Sequence, residues 1–139
     1  MLTAVVVTLI LSSAFTTKSY KKIKSEDLSY YFFIEASASK NSSDYNKTRY
    51  VSDYIHYEGY ESCRETYTFE KKAKKAFEDY LRANESYEGN PSFIRVISGG
   101  SNDKLQTRQA IQQKMNKYLG EEKNKDHEVI KTNFSYSCE

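Results

Sequence analysis

Apolar and polar positions alternate with a two-residue period over residues 28–38 and again over 49–57. In the first segment Tyr30, Phe32, Ile34, Ala36 and Ala38 share one face, and Tyr31, Phe33 and Glu35 share the other. The spacing predicts a strand with aromatic residues on both sides, covered at least partly on both. Residues 39–48 are a polar loop by composition. The second segment sets Val51, Ile55 and Tyr57 against Tyr50, Tyr54 and His56, a strand antiparallel to the first.

The period then changes. Ser62-Cys63-Arg64-Glu65 has the form of a capping box, and it opens an amphipathic helix over about 65–84. Phe69, Ala73, Ala76, Phe77, Tyr80 and Leu81 make its inner stripe, with Lys71, Lys72, Lys74, Lys75, Glu78 and Asp79 outside. Because acidic residues share that outer side, it reads as a solvated face. Gly89-Asn90-Pro91 breaks the chain, and the dense apolar run 93–98 predicts a third strand in the sheet interior. After Gly99-Gly100, Ser101 or Asn102 caps a second helix over about 103–119, with Leu105, Ile111, Met115, Tyr118 and Leu119 inward and Gly120 ending it in a left-handed conformation. Residues 129–136 predict the last strand.

This β-β-α-β-α-β order predicts an α+β fold, a two-layer sandwich of a four-stranded mixed sheet with both helices on one face. If both crossovers are parallel, strands two, three and four run together and strand one opposes them. A ferredoxin-like arrangement is the alternative, and strand order is left open.

Residues 2–11 are apolar and no charge precedes Lys18. The run is about half of the roughly 20 residues a membrane-spanning helix needs. Ser12-Ser13-Ala14 follows, so residues 1–14 read as a signal peptide, 15–27 as a basic polar lead-in and 28–139 as a single domain. A secreted or periplasmic location is expected, without a transmembrane span. Asn41, Asn46, Asn84 and Asn133 head Asn-x-Ser/Thr sequons, glycan acceptors in a eukaryotic secretory route.

Composition narrows the chemistry. In 139 residues, 21 Lys and Arg face 19 Asp and Glu, a net charge of +2 too balanced for a generic nucleic-acid binder. Export turns Cys63 and Cys138, at one edge of the expected sheet, into a disulfide. His56 and His127 lie toward opposite edges, which spoils a two-histidine metal site, and no motif implies a cofactor.

Tyrosine is the unusual feature, with 13 in the chain. If the helices cover one sheet face, aromatics on the other meet the N-terminal segment, a partner or water. Tyr31, Phe33, Tyr50 and Tyr54 are then the candidate binding residues. An alternative site lies at the strand-to-helix edge, with His56, Arg64, Ser101 and Asp103. The expected function is that of a small exported non-catalytic binding domain for a protein or glycan, such as an accessory subunit of an envelope or secreted complex, or an inhibitor. A small secreted enzyme using the edge site is one alternative class; a toxin or immunity-type protein is the other.

Overall fold

The aromatic run of the first segment forms β1 (Tyr30–Ser37), the strand around which everything else is arranged. The computed structural model describes residues 30–57, 66–98 and 107–137. The expected signal peptide, the lead-in, Arg64, Ser101, Asp103 and both cysteines lie outside these residues.

The second segment folds back antiparallel to β1 as two pieces, β2 (Thr48–Val51) and β3 (Ile55–Tyr57). Val51 stands opposite Glu35 and Ile55 opposite Phe32, so three residues, Ser52 to Tyr54, face two on β1. That extra residue is a β-bulge. Ser52 holds it: its N–H donates to the Ile34 carbonyl (2.9 Å) and its Oγ accepts from the Ile34 N–H (2.8 Å). A one-residue insertion exchanges the two faces of everything beyond it. Tyr50 therefore shares a face with Ile55 and Tyr57, while Val51 joins Tyr54 on the other. The expected grouping of Val51 with Ile55 and Tyr57 is corrected by this bulge.

The chain continues through α1 (Thr66–Asn84), a 3-10 turn at Pro91–Phe93, β4 (Ile94–Ile97), α2 (Arg108–Asn124) and β5 (Glu128–Lys131). β4 pairs antiparallel with β1 on the edge opposite β2, and β5 pairs parallel with β2. Across the sheet the order is β4, β1, the β2–β3 ribbon, then β5. The sheet is mixed as expected, with β1 opposing all the other strands, but it has five strands rather than four because the bulge splits the second, and β4 lies at an edge rather than in the interior.

The helices, however, take opposite faces. Phe69, Ala73, Phe77 and Leu81 of α1 pack with Phe32, Ile34, Tyr50, Ile55 and Tyr57. Ile111 and Met115 of α2 pack with Phe33 and Val51. The expectation of both helices on one face is thus corrected to three layers. Strand order supplies the reason. The first crossover steps past β1 to one edge, and the second returns across the whole sheet to the other. Crossovers moving in opposite senses keep the favoured right hand only with helices on opposite faces. No helix among the described residues is long and apolar enough to cross a membrane.

The ends of α2 differ from the sequence expectation. Thr107 caps α2, its side chain accepting from the Ala110 N–H. Gly120 lies inside the helix, which runs on to Asn124. A mid-helix glycine costs about 1 kcal/mol relative to alanine. The extra turn buries Glu122 against Arg49 of β2. α2 stops in a Schellman motif: Asp126 is left-handed (φ 59°), its N–H donates to the Lys123 carbonyl, and the His127 N–H donates to that of Glu122. After α1, Tyr87 folds back under the sheet and its hydroxyl donates to the Ser37 carbonyl (2.9 Å). Gly89 permits this, because a Cβ there would stand 2.4 Å from the Tyr87 ring.

Candidate functional site

None of the four aromatic candidates forms an open sheet surface. Phe33 is fully buried beneath α2, its ring 5.9 Å from that of Tyr118. Tyr50 is 8% exposed on the α1 face, edge-on to Tyr87. Tyr31 and Tyr54 are half-buried at the margin of the α2 layer. The exposure expected of Phe33 is corrected by the α2 layer, and that of Tyr50 by the bulge that sends it to the α1 face, while Tyr31 and Tyr54 keep part of theirs. Of the alternative edge site, His56 lies among the described residues, stacked on Tyr31 at 4.2 Å.

The opposite end of the sheet carries a cleft of about 370 Å³. It is built where β1 ends, β2 begins and β4 enters, with the loop 38–47 as its outer wall. Glu35 forms its floor. The strand period sends this carboxylate to the α2 face, where it is 2% exposed. Arg95, its cross-strand neighbour on β4, grips one carboxylate oxygen through Nε and Nη2. The Tyr118 hydroxyl of α2 donates to the other oxygen. Burial and the adjacent carboxylate push the Tyr118 phenol well above its usual range, so it remains a neutral donor.

Arg49 of β2 forms the next wall. Its Nη1 donates to Ser37 Oγ (3.0 Å) and to the carbonyls of Asn46 (2.7 Å) and Thr48 (3.0 Å). Its Nε lies 3.4 Å from buried Glu122. Burial alone would raise the Glu122 carboxyl. Hydrogen bonds from Lys125 (2.7 Å) and with His127 (2.6 Å) outweigh it and hold the group below its ordinary value. The Schellman turn is what brings His127 back to Glu122, so helix termination and electrostatics are one event.

The loop is held by its own polar side chains. Asn41 Oδ1 accepts from the Ser43 N–H, and Asp44 Oδ2 from the Lys40 N–H (2.7 Å). Asn90 ties the loop to the chain before β4 through the Ser39 and Lys40 carbonyls. The result is a preorganised rim of hydroxyl, amide and carboxylate groups, with Phe93 as the aromatic element of the lining. On the same loop Tyr45 stands 91% exposed.

Among the described residues no buried side-chain polar atom lacks a partner, and no three His, Cys, Asp or Glu side chains converge as a metal-binding set. The cleft residues were passed over in the sequence because 39–48 reads simply as loop. The available signal was Glu35, a lone charge inside an aromatic strand, followed directly by a Ser- and Asn-rich run. Comparison of the chain with known protein families, with curated proteins and with solved structures finds no match.

Proposed function

We propose that this chain is an exported, non-catalytic binding domain and that its recognition site is the cleft at the end of β1. The observation that carries the reading is that the ionisable groups forming the floor and inner wall are already committed to one another. Glu35 is held by Arg95 and Tyr118, and Arg49 by Ser37, Glu122 and two carbonyls. General bases and nucleophiles need a lone pair available to a reacting atom. A recognition site needs donors and acceptors locked in position, which such networks supply. Export rests on the apolar run 2–11 followed by Ser12-Ser13-Ala14. An accessory subunit or a secreted inhibitor is consistent with this size and site.

The test is to block the cleft. Ser42→Trp places an indole at the exposed rim, and Tyr67→Ala alters an exposed residue at the start of α1. Both variants and the parent chain are assayed against immobilised peptide and glycan libraries. Binding lost in Ser42→Trp and kept in Tyr67→Ala is expected. Retention of all binding by Ser42→Trp, or no binding to either library by the parent chain, would overturn the reading.

A further inference from the structure

We infer that the cleft takes a neutral oligosaccharide. This rests on the reading of the cleft as the recognition site and adds the class of ligand. Charge is the first observation. Both guanidinium groups in the lining are matched by carboxylates, Arg95 by Glu35 and Arg49 by Glu122, and Asp44 adds a further negative charge to the rim. An anionic ligand would meet guanidinium groups whose charge is already matched, and would approach Asp44. A cationic ligand meets two guanidinium groups. Neither sign of charge is favoured.

The second observation is the kind of polar group. Sugar hydroxyls donate and accept at once, so they suit side chains that offer both, or that offer fixed donors beside fixed acceptors. Ser39 and Ser42 supply hydroxyls and Asn41 an amide. Asp44 keeps one carboxylate oxygen beyond its bond to the Lys40 N–H. Arg95 engages Glu35 through Nε and Nη2, which leaves the donors of Nη1, and its side chain is 70% exposed. An extended peptide is served less well. It is read through an open sheet edge together with pockets for apolar side chains, and although β4 is an edge strand, the lining offers no apolar side chain beyond Phe93 to form such a pocket.

The third observation is aromatic. A pyranose ring has apolar C–H faces that pack on an aromatic ring, an amphipathic contact for which tyrosine is suited. Phe93 lies in the cleft lining. Tyr45 and Tyr67 are the large hydrophobic residues standing exposed among those described, and Tyr45 belongs to the loop that walls the cleft. Tyr45 stands 91% in water on a loop otherwise built of Ala38, small polar residues and two lysines, so its ring adds nothing to the buried core. It gains contact area once a sugar stacks there.

The experiment uses the full chain made in a bacterial host, so that Asn41 in the cleft carries no glycan. It is screened on a printed array of neutral and acidic oligosaccharides and on a peptide library. The best neutral oligosaccharide is then titrated calorimetrically into the parent chain, Tyr45→Ala, Ser42→Trp and Tyr67→Ala. Neutral oligosaccharides should bind, and loss of the stacking ring should weaken them about tenfold or more. Ser42→Trp should abolish binding, and Tyr67→Ala should change it less than about twofold. Raising the salt from about 0.05 to 0.5 M should leave the affinity nearly unchanged, because no ion pair forms with the ligand. Binding of acidic oligosaccharides alone, or of peptides alone, that Ser42→Trp abolishes would overturn the ligand class while the cleft survives as the recognition site. Neutral binding that persists in both Tyr45→Ala and Ser42→Trp would overturn the inference. No binding to either library would overturn the inference and the function together.

Discussion

Truncating Phe33 to alanine separates a sheet covered on both faces from one covered on a single face. On a two-layer sheet Phe33 would lie on the outer side, where a substitution shifts stability by about 0.5 kcal/mol or less. In the three-layer arrangement its side chain is fully buried among Val51, Ile111 and Met115. The lost transfer free energy of a fully buried large apolar side chain is about 1.5–3 kcal/mol. The cavity left under α2 raises the total to about 3–5 kcal/mol, since β1 is paired on both edges and cannot collapse into the gap. For a domain of this size each kcal/mol corresponds to about 3–5 °C in Tm, so the midpoint should fall by about 9–25 °C. Urea unfolding followed by far-ultraviolet circular dichroism gives the free energy, with Tyr45→Ala as the exposed control. A Phe33→Ala chain within about 0.5 kcal/mol of the parent would refute the assignment of α2 to this face.

Two further outcomes are expected. Ser52→Ala removes the acceptor of the buried Ile34 N–H and should cost about 1–3 kcal/mol in urea unfolding; a change under about 0.5 kcal/mol would mean that the bulge does not depend on this hydroxyl. Burial pushes the Tyr87 phenol up to about 12, Glu78 adding to the effect and Arg82 opposing it. The unfolded chain releases that proton near pH ~10 while the folded chain retains it, so the contribution is complete below that pH and is lost as pH rises toward the folded value. Tyr87→Phe should flatten this alkaline decline, and an unchanged slope in unfolding measured across that range would contradict the assignment.

The sequence by itself determined the α+β class and the approximate place of its elements, because these follow from short-range periodicity, although the strand over 49–57 is two pieces and the one over 129–136 ends at Lys131. The α1 stripe of Phe69, Ala73, Phe77 and Leu81 is buried as its helical spacing requires, and the alternation of β1 assigns each side chain to the correct face. Tertiary structure decided everything that depends on relative placement. The bulge at Ser52 is invisible to a two-residue period, yet that single extra residue sends Tyr50 to one face and Tyr54 to the other. Gly120 looked like a helix end because glycine is the usual local stop, but contact with Arg49 carries α2 another turn before Asp126 ends it. The position of β4 on the far edge of β1 is a long-range pairing that no local pattern encodes. It sets the direction of each crossover, and with it the face on which each helix lies. The cleft inherits all of this: Glu35, Arg95, Arg49 and Tyr118 come from three strands and a helix, and they meet only once strand order, bulge and helix length are in place.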